Sequence, residues 1–148
     1  MILFLDFDGV LHPTICHAEA DLLCRRPLFE SVMRECPPID IVISSTWRES
    51  FTLPQLQALF SADISACIID VMPQWRDIQD DSSLGTYVRQ AEIEAWLRQA
   101  RRAWEAWVAL DDQPWLFRPF LPNLVRCDPA AGISEEECAR LRQKLCAA

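Results

Sequence analysis

Two aspartates separated by one residue, Asp6 and Asp8, follow an apolar run at the start of the chain. Side chains at positions i and i+2 of a strand point to the same side, about 7 Å apart. A phosphoryl group fits between two such carboxylates, so that one attacks phosphorus while the other carries a proton. Gly9 follows directly and permits a tight turn beside them. The pattern therefore predicts phosphoryl chemistry at the end of the first strand.

A second acidic pair, Asp111 and Asp112, follows another apolar run at 107–110. Carboxylates that gather at one place repel each other, and their burial is costly unless a cation binds. An all-oxygen shell suits Mg²⁺. We therefore expect a magnesium ion. Its expected ligands are Asp6, Asp8, Asp111 and Asp112.

The segments around these acids alternate between strand-like and helix-like patterns. Apolar runs predict buried strands at 2–7, 39–43, 67–71, 107–110 and 124–127. Helical spacing predicts helices at 27–33, 53–60, 88–102 and 134–146, the last opened by a capping box. Residues 72–86 are expected to form a loop. The alternation predicts a three-layer α/β fold, with helices on both faces of a mainly parallel sheet and the polar groups at its carboxyl edge.

Composition and charge narrow the classes of protein. A chain of 148 residues fits one domain, expected to span residues 1–148, and a hydrophobic content of 51% excludes intrinsic disorder. No apolar run reaches the roughly 18 residues that span a bilayer, so no membrane segment is predicted. The net charge of −8 argues against non-specific binding of nucleic acid. Seven cysteines without a C-x-x-C motif predict free thiols and a cytoplasmic location.

Four features together resemble the motifs of the haloacid dehalogenase-like (HAD) phosphohydrolases. They are Leu5-Asp6-Phe7-Asp8-Gly9-Val10-Leu11, a serine after the second strand, a basic residue on a later helix, and Asp111-Asp112. The match runs from residue 2 to about residue 128. The segments Ser45-Thr46-Trp47-Arg48 and Trp107-Val108-Ala109-Leu110-Asp111-Asp112 are similar to a small subfamily of HAD domains, some of them found in multidomain RNA-repair proteins. The resemblance implies a Rossmann-like sheet and a Mg²⁺-dependent phosphatase.

The resemblance also implies a role for each acid. Asp6 is the expected nucleophile that forms an aspartyl-phosphate, and Asp8 is the expected general acid and base. Asp6 and the backbone carbonyl of Asp8 are expected to bind Mg²⁺, with Asp111, Asp112 or both completing the shell. Ser45 is the preferred contact to the phosphoryl oxygens, because a small residue follows it, and Ser44 is the competing assignment.

The third motif of the family usually contains lysine, which is missing from this part of the chain. Arg89, at the start of the helix before the fourth strand, is the expected substitute, and a guanidinium can hold phosphate through two N–H bonds. Arg76 and Arg98 are the alternatives. The gaps between strands are too short for a cap domain, and the loop with Trp75, Arg76 and Tyr87 is expected to line an open entrance.

The open site implies a phosphorylated substrate, either a small molecule such as a nucleotide or a macromolecular end such as a nucleic-acid end. A non-catalytic domain that binds phosphate or a partner on the same fold is the alternative. His12 and His17 are expected to be surface or supporting groups rather than bases. Core positions are expected for five of the six tryptophans. They are Trp96, Trp104 and Trp107, together with Trp47 and Trp115, for which a place near the mouth of the site is the alternative.

Overall fold

Five parallel strands form one sheet in this computed structural model, which describes residues 1–78 and 87–147. The strands are β1 (Ile2–Leu5), β2 (Asp40–Ile43), β3 (Ile68–Val71), β4 (Trp107–Asp111) and β5 (Leu124–Arg126). Their spatial order is β3-β2-β1-β4-β5, and every neighbouring pair is parallel. The predicted parallel α/β fold is confirmed.

Helices connect and cover these strands. They are α1 (Arg26–Glu35), α2 (Leu53–Gln57), α3 (Ala62–Ser65), α4 (Val88–Gln99) and α5 (Glu135–Cys146). Short 3₁₀ turns lie at Glu19–Asp21, Thr46–Glu49, Trp75–Asp77 and Pro114–Leu116. The capping box predicted before α5 is present: Ser134 and Glu137 exchange hydrogen bonds at its first turn.

The boundaries of two predicted helices were wrong. The helix predicted at 53–60 is the shorter α2 followed by a turn, and Phe60 is buried although it lies in this turn. The short helix α3 was not predicted. The helix predicted to reach residue 102 ends at Gln99, since Arg101 has the left-handed φ of +56° that stops a helix. Trp104 follows this stop and is 79% exposed, and Trp115 is 65% exposed, so the core positions predicted for these two side chains were wrong.

Alternating residues of β1 face opposite helix layers. Leu3 and Leu5 pack in the core formed with α1, α2, α3 and α5, whereas Ile2 and Phe4 pack against α4. Both faces of the strand are therefore buried, which explains its unbroken apolar sequence. Within the described residues, no separate cap domain lies between β1 and β2 or between β3 and β4. No described helix is long and apolar enough to cross a membrane.

The carboxyl ends of the three central strands are in register. Leu5 of β1 pairs with Ile43 of β2 on one side and with Leu110 of β4 on the other. The next residues are Asp6, Ser44 and Asp111. The sheet register thus brings together residues that lie more than 100 positions apart in the chain.

Candidate active site

Three buried carboxylates meet at this edge of the sheet. One oxygen from each of Asp6, Asp111 and Asp112 lies within 4.8 Å of the others. The Phe7 amide donates a hydrogen bond of 2.9 Å to Asp6 Oδ1, and the Gln113 amide donates one of 2.9 Å to Asp111 Oδ1. No donor among the described residues makes a hydrogen bond to Asp111 Oδ2 or Asp112 Oδ1. Asp112 Oδ1 therefore has no hydrogen-bond donor, and Asp111 Oδ2 has only an ion pair with Arg89 at 3.2 Å, so both oxygens can bind a ligand that accepts electron pairs.

The turn after β1 makes room for this cluster. Gly9 has a φ of +74°, and a Cβ atom built on it lies only 2.2 Å from Asp112 Oδ2. Any other residue would collide with this carboxylate and strain the backbone. The glycine therefore allows Asp112 to approach the turn that carries Asp8.

Arg89 is the basic residue that the structure brings to the acids. Its Nη1 lies 3.2 Å from Asp111 Oδ2 and 3.7 Å from Asp6 Oδ1, and it donates a hydrogen bond of 2.7 Å to the Ser44 carbonyl. Arg98 is in the last turn of α4, nine residues and about 13 Å further along the helix. Arg76 is on an exposed turn. Of the three arginines considered from the sequence, Arg89 alone contacts the acid cluster among the described residues.

A second buried ion pair supports Arg89. The guanidinium of Arg48 lies 3.0 Å from Glu92 Oε1 and donates hydrogen bonds to the carbonyls of Ser44 and Met72 at 2.6 and 3.1 Å. Glu92 Oε2 lies 3.7 Å from Arg89 Nε. Arg48 lies in the segment that resembles the HAD subfamily, but neither it nor Glu92 was assigned a role from the sequence.

The buried charges do not balance. Four carboxylates, those of Asp6, Asp111, Asp112 and Glu92, face the guanidinium groups of Arg48 and Arg89. If all six groups are ionised, two negative charges are in excess. One divalent cation would neutralise them.

The pKa values of the acids are raised, chiefly by burial. Burial raises the pKa of Asp111 to about 7, with Arg89 opposing the shift and the charge of Asp6 adding to it. Burial and the charge of Asp6 raise the pKa of Asp112 to about 6. Burial also raises the pKa of Asp6, against the effect of Arg89. Oxygen donors, unpartnered atoms and surplus charge all fit a hard divalent cation such as Mg²⁺.

Asp8 lies beside this cluster rather than in it. Its carboxylate accepts a hydrogen bond from Trp47 Nε1, 3.1 Å from Oδ2, and its Oδ1 lies 2.8 Å from His12 Nε2. The Leu23 amide donates to His12 Nδ1 at 3.3 Å, so Nε2 carries the proton and donates it to Asp8. His12 is almost completely buried, whereas His17 is exposed as expected for a surface group. The contacts of His12 and Trp47 with Asp8 were not predicted.

Comparison with known families agrees with this geometry. The family described as the HAD domain in Swiss Army Knife RNA repair proteins matches residues 2–138. The chain belongs to this family. Neither a curated protein nor a solved structure gives a significant match. The resemblance inferred from the motifs is confirmed at the level of the family.

Two serines of this HAD domain remain candidates for a contact to phosphate. Ser44 and Ser45 are both buried, directly after β2. The Ser45 hydroxyl accepts a hydrogen bond of 3.3 Å from the Trp47 amide, which leaves its proton available to a ligand. The carbonyl of Ser44 is already held by two arginines. These contacts leave both hydroxyls as candidates, with Ser45 still the preferred one.

Two cavities are lined by residues of the site or by their neighbours. A cavity of about 390 Å³ is lined by Arg48, Arg76 and Arg89, with Trp75 at its wall. Trp75 and Arg76 thus lie where the sequence placed them, whereas Tyr87 is not part of this lining. A cavity of about 560 Å³ includes Asp112 in its lining. Gln113 lines both cavities, and the larger one is called the apolar arm below.

Proposed function

We propose that this HAD domain is a Mg²⁺-dependent phosphomonoester hydrolase that works through an aspartyl-phosphate on Asp6. The observation that carries the proposal is the buried cluster of Asp6, Asp111 and Asp112, in which Asp111 Oδ2 and Asp112 Oδ1 accept no hydrogen bond and Arg89 lies 3.2 Å from Asp111 Oδ2. The proposed substrate is a phosphorylated small molecule or macromolecular end, such as a nucleotide or a nucleic-acid end. The free thiols of all seven cysteines support a cytoplasmic location.

The proposed metal ligands are Asp6, Asp111, Asp112 and the backbone carbonyl of Asp8. When bound, Mg²⁺ would neutralise the carboxylates and the phosphoryl oxygens, so that an anionic nucleophile can approach an anionic substrate. The side chain of Asp8 stays free for proton transfer, in agreement with its place outside the carboxylate cluster.

The proposed reaction has two displacements at phosphorus. In the first, a carboxylate oxygen of Asp6 forms a bond to phosphorus while the ester P–O bond breaks, and protonated Asp8 gives its proton to the leaving oxygen. In the second, Asp8 takes a proton from water as the water oxygen attacks phosphorus. The bond to Asp6 then breaks and inorganic phosphate leaves, which restores both carboxyl groups.

The other residues bind and orient in this proposal. Arg89 holds a phosphoryl oxygen, because its guanidinium already lies between Asp6 and Asp111. Ser45, or Ser44 in its place, donates its hydroxyl proton to another oxygen. His12 and Trp47 fix the direction of Asp8 through two N–H donors.

Replacement of the nucleophile tests the proposal. Asp6→Asn removes the attacking carboxylate, so hydrolysis of an aryl phosphate with Mg²⁺ should fall about a thousandfold or more. Chelation of the metal by EDTA should abolish the wild-type rate, and added Mg²⁺ should restore it. The control is Asp63→Asn, which changes an exposed aspartate paired with Arg34 and should keep the wild-type rate. Wild-type turnover in Asp6→Asn would refute the assignment of the nucleophile.

A second candidate function is a non-catalytic domain that binds phosphate or a partner. The observation in its favour is the ion pairing of Arg89 with the proposed nucleophile, which the first displacement has to disturb. This candidate predicts binding of Mg²⁺ and inorganic phosphate without product release. A panel of nucleotides, phosphorylated oligonucleotides, phosphopeptides and sugar phosphates would separate the two, since turnover of any member supports the hydrolase.

A further inference from the structure

The larger cavity, the apolar arm, has an apolar wall that the reaction described above does not use. Ile15 is 73% exposed and Trp115 is 65% exposed, and Pro13 and Pro129 complete this side of the cavity of about 560 Å³. Its volume lies within the roughly 300–1,000 Å³ typical of ligand pockets. Large apolar side chains that remain exposed around a cavity indicate a binding surface.

This apolar arm is continuous with the acid cluster. Asp112 belongs to the wall of the arm and to the group of three carboxylates. Thr14, in the same wall, has its Oγ1 3.5 Å from Asp112 Oδ2, and Gly9 packs against both side chains. Because Gly9 directly follows Asp8, the arm begins next to the residue that has to meet the leaving group.

We propose that the apolar arm binds the base of a nucleoside monophosphate, with Trp115 as its stacking surface. The inference rests on the proposed hydrolase function and names the substrate class of the same site. A planar ring matches the flat face of an exposed indole, and Gln113, Thr14 and His17 offer polar atoms to its edge. The net charge of −8 opposes a polyanion, which favours a mononucleotide over a nucleic-acid chain.

Two exposed tryptophans give a matched pair of variants. Trp115→Ala removes the stacking surface, whereas Trp104→Ala removes an indole that is 79% exposed in the turn between α4 and β4. Neither side chain is part of the core, so both variants should fold. We expect Trp115→Ala to raise the KM for a purine nucleoside monophosphate about tenfold. The KM for glycerol phosphate, which has no ring, should not change, and Trp104→Ala should change neither value.

A binding measurement keeps the inference testable without turnover. In Asp6→Asn protein with Mg²⁺, calorimetry should show that Trp115→Ala weakens the nucleotide about tenfold and leaves inorganic phosphate unchanged. Equal effects of Trp115→Ala on both ligands, or no effect on either, would overturn the assignment of the ring. A phosphorylated oligonucleotide that binds tighter than the mononucleotide would overturn the substrate class. Absence of all turnover in the wild type, with the binding difference intact, would refute the hydrolase but not the ring site.

Discussion

The carboxylate of Asp8 accepts hydrogen bonds from two side chains that belong to different turns. His12 comes from the turn after β1 and Trp47 from the 3₁₀ turn after β2, and each donates one N–H to Asp8. His12 is itself fixed by the Leu23 amide, and the indole of Trp47 packs on Phe7 at 5.4 Å between ring centroids. These contacts fix the direction in which Asp8 points. Proton transfer between Asp8 and a bound substrate requires such a fixed orientation.

The two hydrogen bonds to Asp8 predict a specific kinetic effect. Trp47→Phe keeps an aromatic ring but removes the N–H donor to Asp8, so kcat should fall about tenfold while the KM and the affinity for Mg²⁺ stay close to wild type. His12→Ala should act in the same way, and His12→Gln should recover part of the loss, because a glutamine amide can donate in place of Nε2. Steady-state kinetics with titrated Mg²⁺ provides the measurement.

The control for these substitutions is Trp104→Phe, because this indole is exposed and is not part of the core. Equal losses in His12→Ala and His12→Gln, or a change confined to the KM, would argue against the positioning role of these side chains.

At the scale of elements, α4 places the guanidinium of Arg89 in the site. Its N-terminal end lies at the carboxyl edge of the sheet and holds Arg89 and Glu92 on the buried face, whereas Ile93, Trp96 and Leu97 pack on the sheet. The helix is therefore polar at one end of its buried face and apolar along the rest. The guanidinium reaches Asp111 and the Ser44 carbonyl through Nη1 and Glu92 through Nε, so two nitrogens face different acceptors, which an ammonium group on a flexible stem does less well.

Removal of the Arg89 guanidinium should weaken the binding of phosphate. Arg89→Ala leaves Asp6 and Asp111 without their guanidinium, so inhibition by inorganic phosphate should weaken at least tenfold and turnover should fall about a hundredfold. Arg89→Lys should restore part of both, because lysine is the usual residue of the family. Arg98→Ala, on the last turn of the same helix, serves as the control and should keep the wild-type inhibition constant. Unchanged inhibition in Arg89→Ala would contradict the proposed contact.

The elements also show what can be predicted from sequence. Residues 2–5 are predictable as a central strand because burial on both faces demands an unbroken apolar run, and Asp6 and Asp111 follow from the ends of such runs. Trp104 was misplaced because helical spacing does not show where a left-handed residue stops the helix. Trp47 and Asp8 both lie in motif segments, but the contact between them spans 39 positions and no spacing predicts it, so only the packed structure reveals it.

For the whole molecule, folding gathers acids that the unfolded chain keeps apart. The folded protein brings Asp6, Asp111 and Asp112 together, and the raised pKa values of Asp111 and Asp112 mean that the folded state binds protons more tightly than the unfolded state. A raised carboxyl pKa lowers stability as pH rises from the ordinary value, near 4, toward the folded value. The metal-free protein should therefore become less stable across about pH 4 to 7.

The stability of the whole protein should respond to Mg²⁺ in the same pH range. In EDTA, the Tm should fall between pH 5 and pH 7.5 as the acids lose their protons. Saturating Mg²⁺ should raise the Tm by several degrees at pH 7.5 and by much less at pH 5, because protons compete with the metal for the same oxygens. Circular dichroism melts at both values provide the measurement. In Asp112→Asn the Mg²⁺ effect should shrink, and an equal Mg²⁺ effect at both pH values would contradict the proposed metal site.

The most direct measurement is to trap the phosphoryl group on the protein. The protein is mixed with ³²P-labelled acetyl phosphate and Mg²⁺, quenched with acid, digested and mapped by mass spectrometry. We expect the label on the peptide that contains Asp6, a stronger label in Asp8→Asn because water is no longer activated, and no label in Asp6→Asn. Turnover without any labelled peptide, or a label on another residue that persists in Asp6→Asn, would contradict the aspartyl-phosphate on Asp6.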